Sequence, residues 1–184
     1  MLCYAQMNMS DDVLNYVKQI RANDKAAQED KFRTGLYAGE AYLQKGDTTA
    51  AIKEFDYTVT NTKTVAAAEA KYNIANVEYL KGRYKTSQKM CFDLAKEMPN
   101  YDYWVAKTYI LLADNYVKLK DNFQAKATLQ SIIENYKGND DILPTAKQKL
   151  GVLTGKPVKI ETPVTDTTND NKPAPADTTK TGQN

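Results

Sequence analysis

Two pairs of adjacent carboxylates, Asp11-Asp12 and Asp140-Asp141, two cysteines, Cys3 and Cys91, and the run GKPVK from Gly155 are the features of this chain whose residue types could support chemistry. Paired carboxylates serve acid–base hydrolysis, an activated thiolate serves nucleophilic catalysis, and a glycine followed by lysine can open a phosphate loop. Each fails on its setting. Both acidic pairs stand where a helix is predicted to start, and there a carboxylate interacts favourably with the helix dipole, by about 0.3–1 kcal/mol, without any chemistry. GKPVK lacks the preceding glycine spacing and the Ser or Thr after lysine. The cysteines form neither a CxxC nor a disulfide framework, and Cys91 falls at helical spacing among apolar residues, as a buried thiol does. The chain has no histidine. That removes the commonest general base, the Ser–His and Cys–His nucleophile pairs and imidazole metal sites together. The expectation is a non-enzyme, with no catalytic residues, no cofactor and no metal site.

Composition says what remains. At 184 residues, 42% hydrophobic and 26% charged, the chain is long enough for one domain with its own core. A net charge of +2, with only three arginines (Arg21, Arg33 and Arg83) among 25 basic residues, argues against nucleic acid as a partner. No stretch approaches the roughly 20 apolar residues of a membrane-spanning helix, so direct membrane insertion of this segment is not expected. The opening MLCYAQMNMSDD lacks the basic and apolar regions of a signal peptide.

The elements that would position any functional residue are helices. From residue 1 to 154, apolar residues recur at i, i+3, i+4 and i+7, and the gaps are short and polar. KFRTGLYAGEAYLQKGD breaks at Gly46-Asp47 before AAIKEFDYTV. AEAKYNIANVEYLKGR breaks at Gly82 before YKTSQKMCFDLAKEM, which Pro99 closes. WVAKTYILLADNYVKLKDN breaks at Lys120–Asn122 before FQAKATLQSIIENY. A last short helix is predicted from about Ile142 to Leu153, with Pro144 in its first turn, where a missing N–H costs little. The final 30 residues hold four of the six prolines and seven threonines but no aromatic residue. They are expected to be a disordered Thr/Pro-rich tail, because they can bury too little apolar surface to offset ordering entropy.

Helix pairs at a fixed period signify a solenoid. From Ala68 to Asn100, Ala75 supplies a small residue on the first helix, Gly82 the turn, Tyr84 the aromatic after it and Pro99 the end; Ser87 and Cys91 stand on the second helix. From Phe32 the same frame gives Gly39, Tyr42, Gly46, Ala51 and Phe55. From Ala106 it gives Ala113, Tyr116, Ala125, Leu129 and Ile132, with Lys120 in place of the turn glycine. This pattern resembles the tetratricopeptide repeat (TPR). The resemblance implies an all-α, right-handed α-solenoid of helix-turn-helix repeats, each made of a helix A and a helix B. Neighbours stack because one pair cannot bury its apolar stripe alone.

The expected division is a partial first repeat at 1–31, repeats at 32–67, 68–105 and 106–140, a capping helix at 141–154 and the tail at 155–184. In the partial repeat Tyr4 takes the aromatic position of helix A, and Val13, Val17 and Ile20 form the stripe of helix B. The chain is thus expected to begin inside a helix of a longer array. Lys/Asn/Tyr-rich helices and 36- to 38-residue spacing are similar to long TPR proteins of Bacteroidetes-type bacteria. Such relatives include lipoproteins of outer-membrane barrel assembly and periplasmic envelope proteins, so an upstream signal sequence would imply an envelope location, and its absence a cytoplasmic one.

In the family, helix A lines the concave groove and recognises partners through its second, fifth, ninth and twelfth positions. The resemblance carries these onto Arg33, Leu36, Glu40 and Leu43, then Glu69, Tyr72, Asn76 and Tyr79, then Lys107, Ile110, Asp114 and Val117. Mixed apolar, aromatic and polar groups suit a partner protein's extended peptide or helix, which makes a protein-binding scaffold the expected function. The alternative is a purely structural segment of a longer solenoid. A carboxylate clamp of the chaperone-binding kind is not expected. Asn73 and Lys107 match its pattern, but Leu36, Glu40 and Leu111 do not, and Glu40 would repel a carboxylate.

Overall fold

The computed structural model describes residues 9–156. Among them are eight α-helices and no strand: α1 (Ser10–Ala22), α2 (Gln28–Gln44), α3 (Thr48–Asn61), α4 (Val65–Leu80), α5 (Tyr84–Glu97), α6 (Asp102–Lys118), α7 (Asn122–Asn135) and α8 (Ile142–Thr154). The expected Thr/Pro-rich tail from Pro157 onward, and Cys3 and Tyr4 at the start, lie outside the described residues.

Three turns repeat one local solution. Gly46, Gly82 and Lys120 all take the left-handed conformation, with φ of 78°, 75° and 65°. After each, the next amide reaches back five residues: Asp47 N–H to Tyr42 O, Arg83 N–H to Glu78 O and Asp121 N–H to Tyr116 O, each at 2.9 Å. This is the Schellman closure, which satisfies the orphan carbonyls of one helix while reversing the chain. In the first and third turns an aspartate then starts the following helix. Asp47 accepts from Ala50 N–H at 2.9 Å, and Asp121 accepts from Gln124 N–H at 3.1 Å.

The first helix of each pair starts about one turn earlier than the repeat frame suggests, at Gln28, Val65 and Asp102 rather than Phe32, Ala68 and Ala106. The frame begins inside the helix, and favourable first-turn carboxylates (Glu29 and Asp30, then Asp102) help extend two of the three. The last helix begins at Ile142 as expected and closes on Gly155, another left-handed residue.

Every helix packs on its successor, and α2, α4, α6 and α8 also touch one another in series. Among the described residues the backbones of α1, α3, α5 and α7 stand further apart from one another, and Arg21 of α1 reaches Glu54 of α3 through its side chain alone. One layer is therefore drawn together and the other spread, so the array is a solenoid that curves towards the α2–α4–α6–α8 side. The core runs between the layers as a chain of local clusters. Leu36, Ala51, Phe55 and Ile74 pack together, then Ala75, Cys91, Leu111 and Leu112, then Ile110, Leu129, Ile142 and Ala146. Each cluster takes residues from adjoining helices, so each pair depends on its neighbours.

Candidate functional site

The inner layer, α2, α4, α6 and α8, presents the face on which the twelve groove residues were expected. Arg33 on α2 is exposed; Glu40 and Leu43 are half-buried, and Leu36 is buried against Phe55 and Ile74. On α4, Glu69, Tyr72, Asn76 and Tyr79 are all half-buried. On α6, Lys107, Asp114 and Val117 are half-buried, while Ile110 is buried with Leu129 and Ile142. Ten of the twelve thus retain accessible surface, and Leu36 and Ile110 are packed into the core.

An aromatic cluster lies on this face at the α4–α6 seam. Tyr72 and Trp104 lie with ring centroids 5.5 Å apart, and Tyr103 meets Trp104 edge-on at 5.2 Å. The Lys107 ammonium sits 5.0 to 5.6 Å from the centroids of all three rings and donates to Tyr103 Oη at 2.9 Å. Cation–π attraction of this kind contributes about 0.5–2 kcal/mol and fixes a charge that would otherwise sweep solvent. Further along α4, Tyr79 packs on Tyr84 at 5.5 Å. On α6, Asp114 accepts two hydrogen bonds from Lys149 of α8, at 2.8 and 3.0 Å.

Burial, and then the charge of Glu69, raise the pKa of Glu40. Burial raises Glu69 too, against the opposing pull of Lys107 and Arg33. Burial pushes the Tyr72 hydroxyl up to about 12, with Asp114 the next cause, so Tyr72 is a neutral ring with a donor at its tip at physiological pH. The half-buried groups are thus arranged as anchors with fixed charges beside them. No hydroxyl or thiol here is paired with a base as a nucleophile would be. Among the described residues no three His, Cys, Asp or Glu side chains gather to hold a metal ion, and no helix is long and apolar enough to cross a membrane.

Trp104, Tyr103 and Lys149 belong to this face but were absent from the residues expected there. The signal was present in YDYWV, residues 101–105, which holds the chain's single tryptophan. It lay just ahead of the frame that starts at Ala106, and α6 begins one turn earlier than that frame.

Residues 108–139, most of α6 and all of α7, match the tetratricopeptide repeat family. That stretch is similar to a tetratricopeptide repeat, and the all-helical chain around it repeats the same helix-pair design. No curated protein matches the chain as a relative. TPR arrays are in general protein–protein interaction modules, and the stacked helix pairs of this chain have that architecture.

Proposed function

We propose that the chain is a non-catalytic adaptor that docks a peptide or helix of a partner protein on the inner face of α2, α4 and α6. The observation that carries this reading is the Tyr72–Tyr103–Trp104 cluster with Lys107 held over it. Half-buried aromatic rings beside an immobilised cation offer large contact area at little further entropic cost. Repeats at 32–67, 68–105 and 106–140 would each contribute one helix to the face.

Site-specific photo-crosslinking in the native host tests it. A photo-reactive phenylalanine at Asn76 or Val117, on the inner face, is expected to capture a discrete partner, and one at Lys126, on the exposed face of α7, is not. Equal or absent capture at all three positions would instead favour a purely structural segment, whose repeats only extend a longer solenoid.

A further inference from the structure

A further cavity among the described residues lies away from the inner face. It is a groove of about 900 Å³ on the opposite side, between α5 and α7, floored by α6. Val105, Tyr109, Leu112 and Tyr116 form the floor, and their i, i+4, i+7, i+11 spacing makes one stripe along α6, about 16 Å long at the helical rise. Gln124, Ala127, Thr128, Ser131 and Asn135 form the α7 wall. Phe92 of α5, 47% exposed, forms the opposite lip.

The preceding helix pair carries charged side chains at the same positions. Stepping back 38 residues, Tyr109 and Asn135 become Lys71 and Glu97, which form an ion pair at 2.7 Å. Ala127 and Ser131 become Lys89 and Asp93, a second ion pair at 2.7 Å. In the earliest groove, between α1 and α3, Arg21 pairs with Glu54 at 2.6 Å, and the remaining space is about 380 Å³. Both ion pairs of the middle repeat are thus replaced by neutral side chains in the last one. Among the described residues that line this groove, the charged ones are Asp102, where α6 begins, and Lys137, past the end of α7.

We infer that this outer groove over α6 is a second docking site, and that its occupant is an amphipathic helix of a partner protein presenting an uncharged face. The stripe runs along three turns of α6, which matches the spacing of anchors on a helix laid into a groove. The neutral wall favours such a face: a charged side chain would be desolvated against Tyr109 and Leu112 with no opposite charge to meet it, whereas short hydroxyls and amides can satisfy the helix's polar edge. The inference rests on the groove and its charge pattern, and it stands apart from the inner-face reading.

The test is selection on the full chain of a phage-displayed library of three-turn helices, randomised at positions i, i+4 and i+7. Enriched peptides are then measured by fluorescence anisotropy against wild type, against Ala127→Lys/Ser131→Asp/Asn135→Glu, and against Val117→Arg on the inner face. All three α7 positions are exposed, so restoring the charges of α5 should leave the helical circular dichroism and melting intact. The expected result is enrichment of uncharged faces, with binding weakened about tenfold or more in the triple variant and unchanged in Val117→Arg. Enrichment of charged faces, no enrichment, or equal binding to the triple variant overturns the inference. Loss of binding in Val117→Arg alone would move the peptides to the inner face and also overturn it. A wild-type dimer in sedimentation velocity that the triple variant dissolves would assign the groove to a second copy, against a partner helix.

Discussion

A Cβ built on Gly39 would lie 2.3 Å from Cε1 of Phe55, a ring that is itself fully buried. The helix pair α2–α3 is therefore closed by the absence of a side chain on one helix and the bulk of another. The next pairs make the same contact with different partitions. Ala75 meets Cys91 in one cluster, and Ala113 meets Leu129 in another. Where the first helix carries a methyl, the second carries something smaller than phenylalanine. Gly39→Ala should destabilise the chain by about 1–3 kcal/mol from overpacking, in spite of alanine's better helix propensity. Cys91→Phe should do likewise, and adding Ala75→Gly should recover part of the loss, since the pair would then reproduce Gly39–Phe55. Urea unfolding followed by circular dichroism reads all three; a double variant no more stable than Cys91→Phe would refute the complementarity.

Lys120 occupies the left-handed turn that Gly46 and Gly82 fill elsewhere, at φ 65°. A residue with a Cβ sits there at a cost of about 1–2 kcal/mol. The amide bonds around it match those at the other two turns, so the backbone needs no rearrangement to accept glycine. Lys120→Gly should raise stability by about 0.5–1 kcal/mol, because relief of strain exceeds the extra freedom of the unfolded chain. An upward shift of the urea midpoint with unchanged slope checks it.

The helix pairs were legible in the sequence because turn residues and small-residue positions are local signals, and Gly46, Gly82 and the run around Lys120 mark the breaks unaided. The buried polar groups were not. Asn115 donates to Ser87 Oγ at 2.9 Å in the core, yet an asparagine in helix-periodic sequence looks solvent-facing until the neighbouring helix is placed. Tyr103 and Trp104 escaped for a different reason. A repeat frame assigns roles by position, and these residues sit before its first one. The uncharged groove over α6 is a third kind of case, visible only when residues 38 apart are compared across two packed pairs rather than along one helix.

Glu40 carries a pH dependence of fixed sign. Burial and then Glu69 raise its pKa in the folded chain above the ordinary 4.5. The folded state consequently holds the proton more tightly than the unfolded state does. The contribution to stability is present in full below the ordinary value and is lost as pH rises through the raised one. Glu40→Gln keeps the shape and removes the charge, so it should be more stable than wild type at pH 7. That advantage should shrink towards zero at pH 3. Thermal melts of both proteins across this range decide the matter, and a gap independent of pH would contradict the assignment.

Cys91 should behave as a clock for opening of the array. Its side chain is 1% exposed, and burial pushes the thiol up to about 12, against a lowering hydrogen bond with Ser87. At pH 8 the native thiol would therefore be almost wholly protonated, unlike an ordinary cysteine in the unfolded chain. Alkylation by iodoacetamide must then proceed through opening of the α4–α6 region, so its rate reports local stability rather than intrinsic reactivity. Native chain at pH 8 should show almost no label on the Cys91 peptide by mass spectrometry, and urea-unfolded chain rapid and complete label. Gly39→Ala, in the neighbouring pair, should speed the native reaction if the pairs open cooperatively, and leave it unchanged if each opens alone.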